Sequence, residues 1–222
     1  MTPLPKSTSS TQETILLKGE NLTCIREDRL LFDDLNIEIN AGDIVQVEGP
    51  NGSGKTSLLR ILAGLSQPYE GKVKFKQTST SQCREEFHEN LLYFGHLPGV
   101  KGEMSAEENL SFNLALHGLD TNQTVDNLAN VNLLGFEDSL ASHLSAGQHR
   151  RIGLARLYQS RAPIWILDEP FTAIDKQGVA SLEQRFIEHA NQGGCVILTT
   201  HQDLLAIPSD KVKKITLDYA FE

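Results

Sequence analysis

Cysteine is scarce in this chain, and its three copies, Cys24, Cys83 and Cys195, lie far apart. None stands in a CxxC spacing, which excludes a zinc site read from neighbouring thiols and a disulfide framework. The three read as reduced thiols of a cytosolic protein. Long apolar runs are also missing. No stretch approaches the roughly 20 residues needed to cross a bilayer. The opening segment, "MTPLPKSTSSTQET", is polar and has no apolar core of a secretory signal, so residues 1–13 are expected to be a disordered lead-in. Positive charge is in deficit: 20 Lys and Arg stand against 29 Asp and Glu, a formal net charge of -9. That balance argues against a nucleic-acid partner. Beyond the first dozen residues there is no low-complexity block, and no internal repeat.

What is present fits one soluble domain of ordinary size, expected over residues 14–222. The chain has 222 residues, 39% hydrophobic and 22% charged. Short apolar runs rich in β-branched and aromatic residues, "DIVQVEG", "NLLYFGH", "APIWILDE" and "GCVILTTH", predict buried parallel strands. Each closes on a polar residue: Gly49, His96, Asp168 and Glu169, and His201. Open α/β sheets place ligands beyond these strand ends, so one site is expected to gather them. Ahead of "DIVQVEG", the stretch ending "LNIEINAGD" alternates and turns like antiparallel strands. Between about residues 98 and 156 the texture becomes helical. "SAEENLSFNLALHG", "TVDNLANVNLLG" and "SAGQHRRIGLARLYQ" read as helices, with caps at Ser105 and Thr124 and stops at Gly118 and Gly135.

"GPNGSGKT", Gly49–Thr56, fits G-x-x-x-x-G-K-[ST] between a predicted strand and the helical run "SLLRILAGL". Gly49, Gly52 and Gly54 allow the backbone to aim its N–H groups at phosphates, and Pro50, Asn51, Ser53 and Ser57 complete the cradle. Lys55 offers a point charge to the β- and γ-phosphates, and Thr56 a hydroxyl to Mg²⁺. The expected cofactors are therefore ATP and Mg²⁺. In "WILDEP", Asp168 stands where a metal-organising aspartate belongs, and Glu169 where a carboxylate can reach the attacking water. A second small-residue stretch, "LSAGQ", also runs into a helix and offers another anion cradle.

In this order the motifs resemble those of the ATP-binding cassette (ABC) ATPase family, from about Ile15 onward. "LSAGQ" resembles the family signature LSGGQ with Ala146 in place of one glycine. "FTAID" resembles the D-loop, with Asp175 as its aspartate, and "TTH" carries a switch histidine, His201. The resemblance implies an α/β fold: a P-loop NTPase cassette with a RecA-like α/β core, an N-terminal antiparallel β subdomain and an inserted helical lobe. It implies an ATPase in which two cassettes form a head-to-tail homodimer. Ser145, Ala146, Gly147 and Gln148 of one chain would then meet the γ-phosphate held by the other. Glu169, His201 and Lys55 would be the catalytic residues.

Two positions depart from the family pattern. Where an aromatic residue usually stacks on adenine, "LTCIRED" has Arg26. It can stack its guanidinium plane on the base or stand as a solvated charge. The usual Q-loop glutamine is missing, and "YFGHLPG" offers His96 there, or Leu97 if the alignment slips by one. His96 as a metal-water contact would titrate near neutral pH, and as a strand-end residue it would be structural.

"NLLYFGHLPGVKGEMSAEENL" and "WILDEPFTAID" carry a narrower resemblance, to the ATP-binding subunits of bacterial cytochrome c maturation. This implies an integral-membrane permease partner, a peripheral place on the cytoplasmic face of the inner membrane, and docking near Pro98–Met104. No C-x-x-C-H pattern is present, so no haem bound directly to this chain is expected. Another small ABC transporter, or a soluble scaffold ATPase as in iron–sulfur assembly, remains an alternative on these residues.

Overall fold

A computed structural model describes residues 14–219, so the expected disordered segment 1–13 lies outside the described residues. The described residues begin with β1 (Ile15–Arg26), β2 (Arg29–Asn40), β3 (Ile44–Glu48), α1 (Lys55–Leu62), β4 (Glu70–Phe75), β5 (Thr78–Ser79), α2 (Arg84–Glu89) and β6 (Leu91–Phe94). They continue with α3 (Ala106–Leu116), α4 (Thr124–Asn130), α5 (Ala146–Ala155), β7 (Ile164–Asp168), α6 (Lys176–Asn191), β8 (Cys195–Thr199) and β9 (Val212–Thr216).

Two sheets result. One is antiparallel, in the order β2-β1-β4-β5, and the other runs β6-β7-β8-β3-β9 with parallel pairings. β1 returns into β2 through Glu27 and Asp28, both at positive φ (50° and 60°), the backbone that matches strand twist in a two-residue hairpin turn. The central parallel strands β7 and β8 are buried on both faces, which is why their sequences read as unbroken apolar runs. Along β7 the side chains alternate. Ile164 and Ile166 enter the core shared with the antiparallel sheet and α1, while Trp165 and Leu167 enter a second core under α6 with Phe171, Phe186 and Leu198. A third apolar cluster, Ala106, Leu110, Leu114, Leu128, Leu133 and Ile152, binds α3, α4 and α5 to one another.

The helix ends show why local chemistry matters. Ser105 caps α3 with a capping box: its hydroxyl accepts the Glu108 N–H at 3.2 Å, and the Glu108 carboxylate accepts the Ser105 N–H at 2.7 Å. At the other end Gly118 sits at φ 64°, and paired bonds run from Leu119 N to Leu114 O and from Gly118 N to Ala115 O. Two expectations need correction. Thr124 is not the cap of α4 but its first residue, because its hydroxyl turns back and donates to Thr121 O at 2.7 Å. Nor does Gly135 end that helix. Asn132 takes the left-handed turn (φ 57°), with Leu133 N bonded to Leu128 O and Asn132 N to Ala129 O. Asparagine tolerates that conformation, so it stops the helix ahead of the glycine. β9, α6 and the short β4, β5 and α2 were not read from the sequence.

Candidate nucleotide site

The glycine loop joins β3 to α1, and at its first glycine there is no room for a side chain. A Cβ on Gly49, which sits at φ 147°, would come within 2.2 Å of the Leu217 carbonyl oxygen. Gly54 stands at the N-cap position of α1 at φ 100°, and no side chain caps that end. The first-turn N–H groups of α1 therefore keep their capacity for an anion. Lys55 Nζ folds back over the loop and donates to Gly49 O at 2.7 Å and to Pro50 O at 3.0 Å. Its cation is held where phosphate oxygens can replace those two carbonyls.

Thr56 Oγ1 donates to Asp168 Oδ2 at 2.9 Å, which brings residues 112 positions apart into one pair. The other oxygen, Asp168 Oδ1, accepts from Thr199 Oγ1 at 2.7 Å, and Thr199 Oγ1 accepts the Glu169 N–H at 2.9 Å. Asp168 is thus oriented from both sides and is almost fully buried. Glu169 adopts φ 51°, a left-handed backbone that is uncommon for a glutamate and is typical of strained functional turns. Its carboxylate lies 3.4 Å from His201 Nε2. A hydroxyl and a carboxylate facing a phosphate cradle fit Mg²⁺, which keeps several waters and takes few protein ligands. Among the described residues no cluster of three or more His, Cys, Asp or Glu forms an all-protein metal cage.

These groups open on one cleft of about 620 Å³, lined by Asn51, Gly52, Gly54, Lys55, Thr56, Ser57, Asp168, Glu169 and His201 among others. Arg26 and His96 line it too. Leu97, the alternative to His96, is 81% exposed and is not among the lining residues. Pro50 lies on the loop and exposed, and Ser53 is buried beneath it.

The signature residues stand elsewhere. Ser145, Ala146, Gly147 and Gln148 do not line this cleft, and Ser145 and Ala146 are exposed. Ser145 caps α5, its Oγ accepting Gln148 N at 3.3 Å while Gln148 Oε1 accepts Ser145 N at 2.9 Å. As an acceptor, that hydroxyl still has its proton to give outward. Gly147 is glycine because α5 starts against the D-loop: a Cβ there would lie 2.4 Å from Ala173 O. Asp175 caps α6, accepting Gly178 N at 2.8 Å, and accepts from Arg151 Nη2 at 2.8 Å. The Gly178 N–H first, and then Arg151, hold its carboxyl below the usual aspartate value.

Two residues in this arrangement were not singled out in the sequence. Thr199 could have been found as the first threonine of "TTH", two residues ahead of the switch histidine. Arg150 could not, because only the fold decides which of the adjacent Arg150 and Arg151 turns inward. The Pro98–Met104 loop is pinned by the Asn109 side chain, which bonds Lys101 N and O and Met104 O. A groove of about 750 Å³ between the helical region and the core opens along Leu65, His88, Tyr93, Leu116, His117 and Arg156. Among the described residues no helix is long and apolar enough to cross a membrane.

Comparison with known proteins agrees with this geometry. A family model described as ABC transporter matches residues 32–172. A cytochrome c biogenesis ATP-binding export protein, CcmA, of Colwellia psychrerythraea is 72% identical over 214 residues, 96% of this chain and 98% of that protein. The protein of the same name from Shewanella frigidimarina is 63% identical, with 96% and 99% covered. Among solved structures, a dimeric bacterial ABC transporter cassette matches with a TM-score of 0.78 at 21% identity, over 93% of this chain and 97% of that one. A dimeric cassette in a post-hydrolysis state bound to ADP and Pi matches at 0.75 and 23% identity, over 84% and 88%. At such identities the structural likeness speaks for the fold. The relatives speak for descent: the chain belongs to the ABC transporter family and, within it, to the cytochrome c biogenesis ATP-binding export proteins.

Proposed function

We propose that this chain is the ATP-hydrolysing subunit of an export complex in cytochrome c biogenesis. It couples MgATP binding and hydrolysis to haem export, or to release of a haem chaperone, at the cytoplasmic face of the inner membrane. The observation that carries the reading is the convergence of Lys55, Thr56, Asp168, Glu169 and His201 on one cleft, in a chain 72% identical to a named export ATPase.

The roles follow from the contacts. Lys55 and the uncapped first turn of α1 hold the phosphates. Thr56 and Asp168, paired at the cradle, would hold Mg²⁺, which would supply neutralisation of phosphate charge. Glu169 orients or deprotonates the attacking water, and His201, beside it, contacts the γ-phosphate. Arg26 and His96 line the cleft wall, where Arg26 would stack on the base and His96 would contact a metal-bound water. Ser145 and Gly147, turned away from their own chain's cleft, cap the phosphate of a second copy in a head-to-tail homodimer. Nucleotide then joins two cassettes, and hydrolysis weakens the joint. A permease segment docks between the helical region and the core, near Pro98–Met104. No haem binds this chain directly.

The test is affinity purification of Glu169→Gln from gently solubilised membranes with ATP, followed by mass spectrometry. Membrane proteins of cytochrome c maturation are expected to copurify. Recovery of an unrelated permease would move the chain to another small transporter, and recovery of soluble proteins alone would move it to the scaffold class.

A further inference from the structure

Arg150 stands on α5, five residues after Ser145, in a basic run to which the proposed chemistry gives no part. Its neighbour Arg151 turns outward to Asp175, but Arg150 turns inward and is only 5% exposed. Nη1 donates to His96 O at 2.8 Å. Nη2 donates to Asp168 O at 2.8 Å and also to Glu169 O. The guanidinium lies over the Phe94 ring, 5.0 Å from its centroid. Its direct contacts are thus three backbone carbonyls and an aromatic face, and the Asp168 and Glu169 carboxylates act on the cation from farther off. Keeping such a charge buried is costly, and burial pulls its pKa below the usual arginine value.

The three carbonyls belong to the residue at the Q-loop position, the Mg²⁺ aspartate and the catalytic glutamate. Glu169 is therefore clamped at both ends of its left-handed backbone. Thr199 of β8 takes its N–H, and Arg150 of α5 takes its carbonyl. One clamp belongs to the sheet and the other to the helix that begins with the signature. A shift of α5 against the core must pull on the backbone that aims the Glu169 carboxylate.

We infer that Arg150 is a positioning residue: it fixes Glu169 for hydrolysis and ties that placement to the signature helix of the same chain. Since Ser145 meets the partner's nucleotide in the composite-site reading, on which this second part rests, Arg150 links the occupancy of one site to turnover at the other. A guanidinium places its donors on separate nitrogens of a rigid fork, so Nη1 reaches His96 O while Nη2 reaches Asp168 O and Glu169 O; lysine carries its three donors on one nitrogen and cannot span them.

The test compares Arg150→Gln, Arg150→Lys and Phe94→Leu with the parent, each in the Glu169 and the Glu169→Gln background. The readouts are kcat, KM, equilibrium ATP affinity, the Hill coefficient and the thermal midpoint. Arg150→Gln is expected to lower kcat about 10- to 100-fold while ATP affinity stays within about threefold. Arg150→Lys restores a minor part of the loss. Phe94→Leu, which keeps the arginine but removes its aromatic floor, gives a smaller drop in kcat and covers the case in which Arg150→Gln is unstable. The Hill coefficient falls toward one, and in the Glu169→Gln background the Arg150 change costs no further turnover. An unchanged kcat, a parallel loss of affinity and kcat, or an equal loss in the Glu169→Gln background overturns the positioning role. Whether Glu169→Gln alone dimerises with ATP is measured separately. A failure there removes the composite site and leaves the effect of Arg150 on its own Glu169 to be read from kcat.

Discussion

Lys55 and Glu169 share one cleft, but their losses separate into binding and chemistry. Lys55 Nζ now bonds two carbonyls of its own loop, and an arriving phosphate exchanges them for charged oxygens. Such a charge-assisted bond is worth about 1.5–3 kcal/mol, so Lys55→Ala is predicted to weaken MgATP binding roughly 10- to 100-fold. Glu169 touches no part of the phosphate cradle, so Glu169→Gln keeps that affinity. It is predicted to lower turnover by about 10²–10⁴ through loss of the general base. Calorimetric titration and phosphate release on the two variants check the split. If Glu169→Gln turned over at the parent rate, the water-activating role would belong to another group, with His201 the nearest candidate at 3.4 Å.

Among the elements, α6 and β7 carry a pH dependence through a residue far from the cleft. His189 stacks on Trp165 at 3.7 Å with planes 6° apart, and its Nε2 meets Pro163 O at 3.1 Å. Burial pushes its pKa down from 6.5 to about 4. The unfolded chain therefore takes up a proton between those values that the folded chain does not. The contribution to stability is fully present above pH 6.5 and is lost as the pH falls toward 4. Its size is on the order of 3 kcal/mol. Urea unfolding is predicted to show a midpoint that drops between neutral pH and about pH 4.5, with a flatter drop in His189→Gln. An identical drop in that variant would place the acid sensitivity in other groups.

For the whole molecule, the exposed signature and the cleft behind it predict association that depends on nucleotide. With MgATP, Glu169→Gln is expected to double in mass by light scattering, and Ser145→Ala in that background to shift the transition to higher ATP. ADP in place of ATP returns the monomer. A Glu169→Gln chain that stays monomeric at saturating MgATP would sink the two-cradle arrangement.

The two phosphate cradles, the acidic pair, the switch histidine and the four central strands were legible because each rests on neighbours in the chain. Glycines permit a loop, a strand run ends on a carboxylate, and a serine three residues ahead of a glutamate or glutamine closes a cap. The stop of α4 was missed because Asn132 did the work expected of Gly135. The rest depended on contacts between distant segments. Thr199 orients Asp168 only because β8 lies beside β7. Gly49 and Gly147 are required by the Leu217 and Ala173 carbonyls, which lie close only once the chain is packed. The sequence by itself therefore determined which motifs offer groups to a nucleotide, since each motif is local. Only the tertiary structure decided that Arg150 rather than Arg151 reaches the backbone of Asp168 and Glu169, because helix rotation against a packed core selects which side chain is buried.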